Sequence, residues 1–145
     1  MTRPRPAQVM VPTRRRLVLW SLSIAYMALI FFASSIAWDV QIPSAFPLRD
    51  KGVHFCEYGL LGFLCAHAAL GTWPAVTRVR LLAAGAFIAT AWGLGDELHQ
   101  AFVPGRSAEV LDLVADALGA SAGAVARGFM TRLDSAHQIS RNSSS

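Results

Sequence analysis

Charge is what this chain has least of. Only 15% of its 145 residues are charged, whereas 54% are hydrophobic, and the apolar residues are pooled into long runs instead of recurring with a short period. That excludes several water-soluble domains and points to one small helical domain in lipid. Cysteine is nearly missing too: Cys56 and Cys65 are the only two, nine residues apart. On one helix they lie about 13 Å apart along the axis, beyond disulfide reach, and are expected as free, buried thiols. There is no HExxH pattern, no cysteine framework for a metal and no internal repeat. The formal charge of +4 does not indicate nucleic acid, because the basic residues gather at the termini and one loop without interleaved aromatics.

What the chain does have is four apolar stretches, expected as spans over residues 17–37, 53–72, 81–103 and 110–126. The first, with no charge, is about 21 residues, enough at ~1.5 Å per residue to cross a ~30 Å hydrocarbon core. The fold class expected is all-α, a polytopic four-transmembrane-helix bundle. A basic segment (1–16) precedes the transmembrane domain (17–132), and a mobile tail (133–145) follows it. The first apolar run is longer than that of a cleaved signal peptide ending near Ser35-Ile36-Ala37. With the N-terminus inside, ten of the thirteen Lys and Arg residues are cytoplasmic and Arg49, Lys51 and Arg106 are outside, so both termini are expected in the cytoplasm of a plasma-membrane protein. Trp20, Trp38 and Trp73 fall near span ends as interfacial anchors do, and Trp92 falls within the third span.

Seven of the nine acidic residues then gather at the outer end: Asp50, Glu57, Asp96, Glu97, Glu109, Asp112 and Asp116. A carboxylate in a membrane-length apolar segment costs several kcal/mol unless partnered or solvated, which makes this cluster the first place to look for function. His54, Glu57 and Tyr58 share one helical face, Asp96 and Gln100 are i and i+4, and Glu109, Asp112 and Asp116 form a stripe. Plainer roles compete: Asp50 as N-cap of the second span, Ser107 with Glu109 capping the fourth, His99 merely solvated, His67 simply packed. A closed network in which Lys51, His54 and Arg106 neutralise the carboxylates competes as well. Close helix approach is expected at Gly59 and Gly62 and at the small-xxx-small pair Gly119 and Gly123.

The string Asp50-Lys51-x-x-His54-Phe55-x-x-Tyr58-x-x-Leu61-Gly62, then Asp96-Glu97-x-x-Gln100-x-Phe102-x-Pro104-Gly105-Arg106, then Asp112 and Gly119, resembles the VanZ-like family of small bacterial membrane proteins. The resemblance implies shared motif positions at Asp50, Lys51, His54, Tyr58, Glu97, Gln100, Arg106 and Asp112. It also implies a namesake that is an accessory factor in resistance to the glycopeptide teicoplanin. Asp116 departs from the pattern, in which asparagine is usual there.

The expected function is an outward-facing site that binds or modifies a cell-envelope component, such as a lipid-linked anionic precursor or a lipid head group. Lys51, His54, Tyr58, Gln100, Arg106, Asp112 and Asp116 are the candidates for binding it, with Arg106 suited to a bidentate grip. Glu57, Asp96 and Glu97 are the candidate proton donors and acceptors. A divalent metal held by His54, Glu57, Asp96, Glu97 and Asp112 is a variant of this reading. Whether there is turnover is open, as are a non-catalytic scaffold or interaction protein and a proton-coupled transporter using Glu57 and Asp116. Oligomerisation would be needed to enclose a pore.

Overall fold

The computed structural model describes residues 11–36 and 49–143. Arg3, Arg5, Trp38 and the Ala37 of the signal-like motif lie outside them. Four helices make up the described chain: α1 (Thr13–Ser34), α2 (Arg49–Thr72), α3 (Arg78–Gln100) and α4 (Val110–Ser143). They run up and down, so the C-terminal ends of α1 and α3 meet the N-terminal ends of α2 and α4. Three of them, α1, α2 from Asp50 and α3, are long and apolar enough to cross a membrane.

The surface confirms what their length suggests. Leu22 is 59% exposed, Phe87 74% and Leu118 60%, whereas Asp96, Glu97, Asp112 and Asp116 are buried. Apolar outside and polar inside is the arrangement for a hydrocarbon solvent. This is a membrane protein.

α2 is the hub, packing most extensively on α4 and then on α3. Glycine sets these distances. A Cβ on Gly119 would run into the Phe55 backbone, one on Gly123 into the Gly59 carbonyl, and one on Gly62 into the Ala120 backbone. Gly85 lies equally tight against Ala66. Beneath the polar end the core is apolar, built from Ile30, Tyr58, Leu61, Cys65, Ala89 and Ala120, with Trp92 packed against it. At the opposite end Trp20 Nε1 donates to Thr72 Oγ1 at 3.1 Å and its ring meets Trp73 edge-on.

Several boundaries differ from those read in the sequence. α2 starts at Arg49, so Asp50 is not an N-cap but a first-turn residue, where its charge favours the positive end of the helix dipole. α3 ends at Gln100, and residues 101–105 form the turn that brings the chain back, with Gly105 at φ 83°. α4 continues far past residue 126, carrying the segment expected as a tail on as helix to Ser143. Cys56 and Cys65 are free as expected, yet only Cys65 is buried; Cys56 is exposed. Nine residues turn a helix by two and a half turns, so one thiol faces in and the other out.

Candidate functional site

Four helix ends supply the site, and each presents its polar residues for a local reason. Asp50 and Asp112 lie in the first turns of α2 and α4, where the helix dipole stabilises a carboxylate. Asp96 and Glu97 occupy the last turn of α3, where the dipole is adverse. Hydrogen bonds offset that. Asp96 accepts from Ser34 Oγ at 2.5 Å and from Gln100 Nε2 at 2.9 Å. Glu97 Oε2 accepts the Glu109 backbone N–H at 2.9 Å, so α3 satisfies a donor at the start of α4.

Lys51 bridges α2 to α4. Its Nζ donates to Glu109 Oε2 at 2.6 Å and lies equally close to Asp112 Oδ1, though outside good hydrogen-bond alignment there. One turn deeper, His54 Nδ1 is 3.0 Å from Asp116 Oδ1, and the Tyr58 ring lies parallel to the imidazole with centroids 6.4 Å apart. Three buried polar atoms at this level have no partner among the described residues: Tyr58 Oη, Glu97 Oε1 and Asp116 Oδ2. Space for the aspartate comes from α3, because a Cβ at Gly93 would sit 2.8 Å from Asp116 Oδ2 and 3.0 Å from Tyr58 Cε1.

Beside this layer, towards α1, is a cavity of about 180 Å³. Ile30, Ala33 and Ser34 of α1, Asp50, Val53, His54 and Glu57 of α2, Asp96 and Gln100 of α3, and Arg106 from the α3–α4 turn line it. Arg106 makes no ion pair within 4.0 Å among the described residues; its Nη2 reaches the Ile36 carbonyl at 3.5 Å, the limit of a hydrogen bond.

A family model described as VanZ/LLP1 matches residues 18–130. The chain belongs to the VanZ/LLP1 family. No curated protein and no solved structure matches it. The match runs from the sixth residue of α1 well into α4 and takes in every residue of the VanZ/LLP1 polar end described above.

Within this VanZ/LLP1 bundle the residues singled out in the sequence divide into two sets. Asp50, His54, Glu57, Asp96, Gln100 and Arg106 line the cavity, while Lys51, Glu97, Asp112 and Asp116 lie to its side between α2, α3 and α4. Tyr58 sits below His54 and does not line the cavity. Among the described residues, two groups converge closely enough to hold a metal ion, His54 with Glu97 and Asp116, and His54 with Asp50 and Asp112; Glu57 and Asp96 join neither group.

Other expectations change. Ser107 makes no side-chain hydrogen bond among the described residues, and the Glu109 carbonyl is what opens α4, accepting from Asp112 N–H at 3.0 Å. His99 is held, not simply solvated: Nε2 is 3.0 Å from Ser35 Oγ and the ring lies 4.3 Å from that of Phe31. His67 accepts from Arg127 Nε at 2.9 Å, at the far end from the site. The sequence reading missed Ser34 and Ser35. The available signal was two adjacent hydroxyls closing a span that has no charge.

Proposed function

We propose that the chain is a four-span plasma-membrane protein, both termini cytoplasmic, whose polar site opens outward and holds the head group of an anionic amphiphile such as a lipid-linked envelope precursor. α4 serves as the fourth span. Its Asp112 and Asp116 lower its mean hydropathy but are buried, whereas the exposed residues of its first turns, Val110, Leu111, Val114 and Leu118, are apolar. At 34 residues it would extend past a ~30 Å core by several turns. Single-cysteine labelling in a chain lacking Cys56 and Cys65 tests the topology: a cysteine placed within residues 38–48 is expected to react from outside only. Reaction from the cytoplasmic side alone would reverse the assignment.

The observation that carries the ligand reading is the unequal treatment of the two cations. Lys51 is spent on Glu109 and Asp112, while Arg106 faces the cavity without a carboxylate in reach among the described residues. A guanidinium there can grip phosphate or carboxylate through two parallel bonds. Asp50, Glu57 and Asp96 across the cavity are acceptors, which suits a ligand that adds hydroxyl or amine donors to its anion, as a sugar phosphate does. At about 180 Å³ the cavity is smaller than a typical ligand pocket. It accommodates the head of such a molecule while the rest stays in lipid. Any chemistry on that head falls to Glu57 and Asp96, which line the same space together with Asp50. The apolar core beneath His54 and Asp116 favours a binding site over a proton pathway through the bundle.

Arg106→Ala is expected to fold with a melting temperature near wild type in detergent but to lose at least about tenfold in retained anionic lipid, read by native mass spectrometry. Arg106→Lys should rescue poorly, because a point ammonium cannot reproduce the planar fork. Growth on teicoplanin of cells expressing each variant would show whether the site bears on glycopeptide resistance. Wild-type lipid retention by the alanine variant would sink the clamp.

A further inference from the structure

Charge does not balance at the outer end of this bundle. Seven carboxyl groups gather there, against Lys51, Arg106 and the imidazoles of His54 and His99 among the described side chains. Lys51 accounts for Glu109 and Asp112. The deepest carboxyls, Glu97 and Asp116, are 5% and 0% exposed, and each keeps one buried oxygen without a partner among the described residues. Leaving such oxygens bare at membrane depth is costly.

We propose that His54, Glu97 and Asp116 form a site for a first-row divalent metal ion of the Mn2+ or Zn2+ type. Each of three helices contributes one ligand, and the three ligand atoms lie within 4.8 Å of one another. His54 Nδ1 and Asp116 Oδ1 are 3.0 Å apart, which is also the spacing of two adjacent ligands that share an ion at about 2.1 Å. A dication with two carboxylates and a neutral imidazole sums to zero charge, the cheapest state in this environment. One nitrogen and two carboxylates select a borderline transition ion over Mg2+ or Ca2+, which take oxygen alone. Three protein ligands leave a coordination position open, and His54 also lines the cavity, so an ion held there would lie beside that space. The second convergent group, Asp50, His54 and Asp112, is the weaker alternative: Asp50 is exposed and Lys51 already sets a positive charge 2.6 Å from Asp112.

The test uses the full chain in detergent, stripped with a chelator and titrated with MnCl2 or ZnCl2, with bound metal counted by elemental mass spectrometry after equilibrium dialysis. Wild type is expected to hold a single ion per chain against excess Mg2+. Asp116→Asn, nearly isosteric and able to keep its bond to His54, should weaken binding by at least about tenfold at unchanged helicity. Glu97→Gln should do the same and serves as the second reading if Asp116→Asn fails to fold. Tyr58→Phe and Asp112→Asn should bind within about threefold of wild type. Substoichiometric binding by wild type overturns the proposal. So does undiminished binding by Asp116→Asn, or loss in Asp112→Asn alone. None of these readouts depends on Arg106 or on retained lipid.

Discussion

Gly123→Leu is expected to dismantle the bundle, the largest effect of any single substitution in this chain. The Cα of Gly123 lies so close to α2 that a Cβ would collide with the Gly59 carbonyl oxygen, and Phe63 N would be 3.0 Å away. Both obstacles are backbone, which cannot rotate aside as a side chain does. Overpacking costs ~1–3 kcal/mol when neighbours can yield, and more where they cannot. Separating α2 from α4 would also pull His54 from Asp116 and Lys51 from Asp112, since both pairs span that interface. The variant should lose its monodisperse peak and melt far below wild type in detergent. Gly52→Ala and Gly95→Ala are the controls, because a Cβ there meets nothing within 4 Å. In a helix each should be neutral or stabilising by up to about 1 kcal/mol. Equal melting of Gly123→Leu and wild type would show that glycine contact does not set the helix spacing.

Lys51→Met should be the most damaging change to the polar end. It keeps an unbranched apolar stem as long as that of lysine but removes the cation that lies 2.6 Å from both Glu109 and Asp112. Glu109 is half exposed, whereas the Asp112 side chain is 5% exposed, so the penalty falls mainly on Asp112. Leaving one partner of a buried pair uncompensated costs about 3 kcal/mol or more. A double-mutant cycle separates this from lost packing: in an Asp112→Asn background Lys51→Met should cost much less. If the cost is the same in both backgrounds, Lys51 acts through its stem and the ion pair contributes nothing.

These expectations rest on contacts of different sequence range, and that decides which of them the sequence could reveal. The Asp96–Gln100 hydrogen bond is i to i+4 within one helix, where spacing alone puts two side chains on one face. The same regularity placed Glu109, Asp112 and Asp116 on a stripe and set Gly119 and Gly123 one turn apart. Partnerships between helices are another matter. Lys51, a candidate both for gripping a ligand and for neutralising carboxylates, pairs with Asp112 of α4; Ser34, outside the sequence candidates, bonds Asp96; Glu97, a candidate proton donor or acceptor, accepts the Glu109 N–H just ahead of α4. Each depends on how far the helices are rotated and how closely they approach.

The sequence by itself determined the class of protein: apolar runs of membrane length, their order, the clustering of acids at one end, and a motif spread over three segments that the VanZ/LLP1 match bears out. These are properties of composition and helical repeat, and need no knowledge of neighbours. Only the tertiary structure decided that the first turns of α4 bury Asp112 and Asp116 and expose Val110, Leu111, Val114 and Leu118, which a mean hydropathy cannot distinguish because it averages around the helix. It alone also set Arg106 facing the cavity, Lys51 in an ion pair, and His54, Glu97 and Asp116 within reach of one another. Glycine-to-backbone contacts fix the rotation and separation of α2 and α4, and a side chain's partner follows from that geometry and not from its place in the chain.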